Sequence, residues 1–317
     1  MYEDRYGFLW LLTYDNRVHR FDPKTETFEQ VPAAGEEGST YNIHSIQVLL
    51  DGTVWLLTEN DGAIRVVTLP EKNYTTKPEI YSTKSGLFPA DQFYQAFYAV
   101  RECEDDICFT SDRGRIWCYQ KKSGEFRLHE LPTKARITSI HAVGNDNTVV
   151  TTDSDGFFLS NLKTNKHIHY SPVTCKELSD QPILSAYVDR TSEVWFEQEE
   201  PGVVVHFNPA TGVVKREQMR VEYSNADRSR PAFHIHEDIH GHVWVHPYGG
   251  GFSYFDRERN CLVPFYDDLG SNNWRFSNKI HAAFSDKQGN LWLCTHSKGL
   301  EKVTFRNVPF SMLTPVP

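Results

Sequence analysis

Asp286-Lys-Gln-Gly289-Asn-Leu-Trp292-Leu-Cys-Thr295 is one copy of a phrase that returns along the whole chain. Its clearest counterparts are Asp4-Arg-Tyr-Gly7-Phe-Leu-Trp10 and Asp238-Ile-His-Gly241-His-Val-Trp244. Trp55 and Trp195 anchor two more copies, and Cys108 and Val149 hold the same place in two weaker ones. The anchors at 10, 55, 108, 149, 195, 244 and 292 are spaced by 45, 53, 41, 46, 49 and 48 residues. A period in the forties built from short strands is the mark of a propeller rather than of separate domains.

Both sides of the anchor are chemically specified. Twelve residues before it stand Ile43, Ala96, Ile137, Ile183, Ala232 and Ile280, and nine before it Ile46, Ala99, Ile140, Ala186, Ile235 and Ala283. These columns align without gaps, and small or branched apolar residues suit an innermost strand crowded round an axis. Asp189, Asp238 and Asp286, six before the anchor, are turn formers that bond backbone two residues on. Gly7, Gly241 and Gly289, three before it, are free to take positive φ. Consecutive apolar residues around the anchor then predict a second strand covered on both faces. A third strand ends in Phe21-Asp-Pro23 or Phe207-Asn-Pro209, where proline presets the turn, and a more polar fourth strand such as Thr27–Val31 follows. Four strands per copy and seven copies predict an all-β fold, a seven-bladed β-propeller of four-stranded antiparallel blades. Residues 1–317 then form a single propeller. Because the chain opens inside a repeat, it reads as a fragment of a larger protein.

The formal charge of −9 argues against a nucleic-acid surface, which needs a basic face. No run approaches the eighteen or so apolar residues that span a bilayer, and no basic n-region precedes an apolar stretch. Nucleic acid and membrane are therefore not expected partners of this fragment. The six cysteines show no C-x-x-C pair and no disulfide or zinc pattern, so they read as small buried core thiols.

The phrases Asp-x-x-Gly-x-Leu-Trp-Leu-x-Thr, with Gly299-Leu300 and Phe255-Asp256 in the later copies, resemble the two-component regulator propeller repeat. That repeat fills the periplasmic half of hybrid two-component sensors, mostly from gut bacteria that degrade complex glycans. The resemblance implies a periplasmic, non-enzymatic sensor piece whose parent is a histidine kinase. It further implies neighbouring propeller and β-sandwich domains in the parent, a homodimer as the signalling unit, and Phe305 to Pro317 leading toward a second propeller. In that family the motif is scaffold and ligand contacts lie in variable loops, so no functional residue carries over. Cys108 and Val149 depart from the motif in the third and fourth copies.

Function is expected where the repeat is interrupted. The connections from Pro70 to Gln95 and from Pro264 to Lys279 are long enough to be functional loops. They hold Asp91, Phe93 and Tyr94, and Asn273, Trp274 and Arg275; with His246 and Tyr248 these are the candidate ligand-binding residues. Ring faces beside Asp, Asn and Arg suit a sugar surface, and an oligosaccharide is the expected ligand. The competing reading is that these aromatics pack loops onto blade ends.

Catalytic, metal and cofactor sites are not expected. His234, His236, His240, His242 and His246 spread over two strands and a turn rather than converging. His141 and His236 share the column eight before the anchor and read as polar groups near the channel. Glu36-Glu37 and Asp267-Asp268 are adjacent, as on solvated loops; Glu197, Glu199 and Glu200 follow an anchor and could face a channel. Two alternatives remain: a propeller glycoside hydrolase or lyase, needing two carboxyl groups across a cleft, and a structural spacer with the ligand site elsewhere in the parent.

Overall fold

Every anchor lies in the second strand of a sheet. The computed structural model describes residues 2–13, 15, 17–31, 43–49, 53–58, 63–67, 79–81, 99–102, 105–123, 125–144, 146–200, 202–218, 234–238, 241–246, 253–264, 280–295 and 299–304. Trp10 sits in Leu9–Leu12, Trp55 in Thr53–Thr58, Cys108 in Asp106–Thr110 and Val149 in Asn147–Thr152. Trp195, Trp244 and Trp292 sit in Val194–Gln198, Val243–His246 and Asn290–Thr295. Each sheet is antiparallel and ordered as in the chain, from an innermost to an outer strand.

The expected seven four-stranded blades are corrected to six. Six sheets have four strands, whereas the last one, the closing sheet, has three: Ile280–Ser285, Asn290–Thr295 and Gly299–Thr304. The anchor period counts second strands and is blind to the polar outer strand, which carries no repeating signal. Residues 305–317, which follow the third strand of the closing sheet, lie outside the described residues.

The sheets close into a ring: six of the seven anchors share a buried cluster with the blade that follows, and blade six meets the closing sheet through the inner strands His234–Glu237 and Ile280–Ser285. Trp10 shares a buried cluster with Val54 and Leu56, Trp55 with Ile107 and Phe109, and Cys108 with Val150 and Phe158. Val149 packs with Val194 and Phe196, and Trp195 with Val243 and Val245. Trp292 of the closing sheet meets Leu9, Leu11 and Phe21 of blade one, which completes the circle. Trp10, Trp55 and Trp195 are at most 1% exposed. Burying about 200 Å² of indole is worth up to about 5 kcal/mol each.

The turn before each anchor is a polar fastening. Asp4, Asp189, Asp238 and Asp286 accept the indole N–H of Trp10, Trp195, Trp244 and Trp292 at 3.0, 2.9, 2.8 and 2.8 Å. The other carboxylate oxygen accepts backbone N–H groups two and four residues on, as at Gln288 and Asn290. Gly7, Gly241 and Gly289 take φ of +87°, +90° and +81°, and Asp146 and Ser192 adopt the same left-handed turn without glycine.

Blade three breaks the pattern twice. Elsewhere the anchor pairs with the residue eight before it, as Tyr2 with Trp10 and His236 with Trp244. Cys108 instead pairs with Arg101, seven before it. The gapless alignment of the inner column is therefore wrong in this blade: Arg101, not Val100, stands opposite the anchor. Cys108 and Cys118, read as core thiols, form a disulfide between directly paired strands, which corrects that expectation. Cys175 is a buried free thiol, and Cys261 and Cys294 are half-buried ones.

Candidate functional site

The loop candidates Asp91, Phe93, Tyr94, Tyr248, Asn273, Trp274 and Arg275 lie outside the described residues, as do Glu36, Glu37, His240, Asp267 and Asp268. His246 is described in its backbone, which pairs with His234. The described residues instead define the wall of the axial channel.

Seven innermost positions lie opposite the anchors: Tyr2, Gln47, Arg101, His141, Tyr187, His236 and Phe284. A residue opposite an anchor shares its sheet face, so it stands between neighbouring blades near their inner edges. The hydrogen bonds follow that geometry. Gln47 Nε2 of blade two donates to Tyr2 OH of blade one at 3.0 Å. The Glu237 N–H of blade six donates to Tyr187 OH of blade five at 3.2 Å. Arg101 of blade three donates through Nη1 to Thr148 Oγ1 of blade four.

The ring is mostly neutral. Burial pushes His141 down to about 4, helped by the Arg101 charge, and burial pushes His236 to about 4 against the pull of Asp238. Burial and then the Glu237 charge raise Tyr187 to about 12; burial also raises Tyr2, partly offset by the Gln47 hydrogen bond. Two imidazoles, two phenols and an amide thus present uncharged donors and acceptors at neutral pH, with Arg101 as the ring's one cation. No ring position is a carboxylate.

The register shifts in four inner strands, at Ile43/Ser45, Ile137/Ser139, Ile183/Ser185 and Ile280/Ala282. Thr138 at one bulge donates to the Ile183 carbonyl of the next blade at 2.6 Å, and Leu184 at another stays 36% exposed. These register shifts lie at the end of the blades where outer strands return to inner ones.

The remaining charged groups fasten the scaffold. Arg190 of blade five holds Glu237 at 2.8 Å and the Asp238 carbonyl at 2.6 Å in blade six, and Arg257 returns to Asp189 at 2.9 Å. Glu200 pairs with Arg216 on the outer strand of its own blade, not with a channel partner. His242 bonds Asp238 at 3.0 Å. Among the described residues no three His, Cys, Asp or Glu side chains are grouped to hold a metal, and no helix is long and apolar enough to cross a membrane.

Sequence reasoning missed the Asp–Trp fastening, the disulfide and the placement of Arg101 opposite the third anchor. The disulfide has a signal: the third-strand partner lies ten residues past the anchor, as Arg20 past Trp10, Tyr254 past Trp244 and Lys302 past Trp292. Cys118 is ten past Cys108.

This architecture is that of a β-propeller. Within it, residues 275–297 match the two component regulator propeller family, and the chain carries that repeat around Asp286 and Trp292. By structure the chain is similar to the extracellular domain of a putative hybrid two-component system from B. thetaiotaomicron. The two are 19% identical with a TM-score of 0.66, over 97% of this chain and 38% of that one. A second such domain from the same organism is 16% identical, TM-score 0.53, over 95% and 44%. A catalytically inactive virginiamycin B lyase from Staphylococcus aureus, solved with quinupristin, is 14% identical, TM-score 0.68, over 96% and 94%. At these identities the likeness speaks for the fold alone. The chain spans 38% of the length of the first of these relatives. Comparison with curated proteins gives no match.

Proposed function

We propose that this chain is an extracytoplasmic, ligand-binding sensor propeller of a hybrid two-component signalling protein, and that it recognises an oligosaccharide at the loop end of the channel. The observation that carries the reading is the two-component regulator propeller repeat at 275–297. The Cys108–Cys118 disulfide supports an oxidising compartment such as the periplasm. The channel ring favours binding over hydrolysis, because it supplies neutral hydrogen-bonding groups and no opposed carboxylates. Asn273, Trp274 and Arg275, in the connection that leads into the closing sheet, are residue types that can offer a sugar a stacking face and a polar flank.

A melting-shift screen against plant and host oligosaccharides, followed by calorimetric titration of Trp274→Ala, tests this. The expected result is a stabilising glycan whose affinity falls at least tenfold in the variant while the unliganded melting temperature stays within about 1 °C. Unchanged affinity refutes the loop site, and a silent screen favours a spacer propeller.

A further inference from the structure

Arg101 is a cation that the scaffold does not require. The corresponding position is Tyr2, Gln47, His141, Tyr187, His236 or Phe284 in the other sheets, and all of these close the ring without a charge. Arg101 comes to the channel only because blade three pairs one residue out of step, with Arg101 rather than Val100 facing Cys108. The guanidinium is half-buried. Its Nη1 is fixed by Thr148 Oγ1, itself fully buried, and its Nε is enclosed with no hydrogen-bond partner among the described residues. No carboxylate lies within ion-pair distance of it among them. The neighbouring Glu102 is engaged by Lys121 at 2.6 Å.

A half-buried guanidinium with no carboxylate beside it among the described residues is favoured by an anionic ligand. We propose that the channel binds a single oxyanion, a carboxylate or sulfate, on the free edge of Arg101, with Thr148 and His141 as its polar flank. The planar guanidinium fork matches two anion oxygens, and the orientation set by Thr148 leaves part of that fork unused. His141 is held neutral by burial and by the Arg101 charge, so it adds a hydrogen-bonding ring nitrogen without a second positive charge. The anion is either the acidic group of a sugar acid or a free inorganic ion.

The test is calorimetric titration of the intact chain with sodium sulfate, galacturonate and neutral galactose, against sodium chloride at matched ionic strength. Saturable one-to-one binding of sulfate and galacturonate, at least tenfold weaker in Arg101→Gln, is expected, with no heat from galactose at the same concentrations. Galacturonate at least tenfold tighter than sulfate identifies a sugar acid, and equal affinities identify a free anion. Thr148→Val, which keeps shape and charge, is expected to weaken binding at least threefold and serves if Arg101→Gln fails to fold. No saturable anion binding, or affinity unchanged in either folded variant, overturns the proposal. The Trp274 titration reads the loop site separately, so either proposal can fail without the other.

Discussion

Removing Asp189 should loosen blade five far more than its place in a surface turn suggests. One carboxylate there serves five donors: the backbone N–H groups of Thr191 and Glu193, the Thr191 hydroxyl, the Trp195 indole and the Arg257 guanidinium of the next blade. Asp189→Ala leaves the indole N–H of a fully buried tryptophan without its acceptor, at about 1–3 kcal/mol. The two turn amides, close to solvent, add about 0.5 kcal/mol each. The Arg257 bond adds roughly 1 kcal/mol, discounted because that side chain is 35% exposed. The sum is about 4 kcal/mol. An unfolding entropy of about 2.1 cal/mol/K per residue over 317 residues converts each kcal/mol to about 1.5 °C. Thermal unfolding at pH 7 should therefore show a fall of roughly 6 °C. Asp180→Ala, at an exposed carboxylate of the same blade, is the control. If Asp189→Ala falls no further than Asp180→Ala, the turn carboxylates are not fastenings and the reasoning is refuted.

The same carboxylates make acid the weak side of the fold. Burial alone would raise Asp189, Asp238 and Asp286, but hydrogen bonds from Thr191, Trp195 and Arg257, from Trp244 and His242, and from Trp292 and Asn290 outweigh it and hold all three below their ordinary range. Each is easier to ionise folded than unfolded. Its contribution is present above the unfolded value of about 3.9 and is lost as pH falls through the lower folded value.

Two further outcomes are expected. His236 titrates near 4 folded and near 6.5 unfolded, so the unfolded chain takes up the proton first as pH drops from 7. About 2 kcal/mol should be lost between pH 7 and pH 5 by urea unfolding, and His236→Gln should remove about that much of the pH dependence; equal slopes in both proteins would show the ring is not desolvated. Reducing the Cys108–Cys118 bridge, which closes a ten-residue separation, should cost about 2–3 kcal/mol and lower the melting temperature by roughly 4 °C. Cys108→Ser/Cys118→Ser should melt at the reduced position and ignore dithiothreitol; identical melting with and without reductant in the parent chain would count against a structural bridge.

What the sequence made legible follows from period. Trp10, Trp195, Trp244 and Trp292 recur because each must fill the same wedge between neighbouring sheets, and that requirement fixes residue type and spacing together. The polar half of the wedge is equally regular, since Asp4, Asp189, Asp238 and Asp286 all stand six before their tryptophans, yet the spacing alone suggests only a turn. That the second carboxylate oxygen reaches the indole depends on how a hairpin folds back. The outer strand was miscounted for the opposite reason: Thr27–Val31 is solvent-exposed along most of its length, so nothing holds its residues to a recurring pattern. The loop candidates could be chosen only by interruption of the repeat, because a binding loop has no neighbour whose packing constrains it.

Blade three shows how a repeat acquires individuality. Replacing tryptophan by Cys108 removes the indole that the preceding turn must reach, and with it the need for the Asp–Trp spacing. Val149 also lacks an indole yet keeps the common register, so the one-residue shift belongs to the inner hairpin of blade three itself. The lost packing is made good by a covalent link to Cys118, in the position where the other blades set a cation or ring against the indole, as Lys302 lies 5.1 Å from the centre of Trp292. The shifted register sets Arg101 opposite Cys108. A designed Cys108→Trp/Cys118→Arg chain with one residue inserted in the hairpin should therefore regain the common register, turn Arg101 away from the axis and abolish oxyanion binding together.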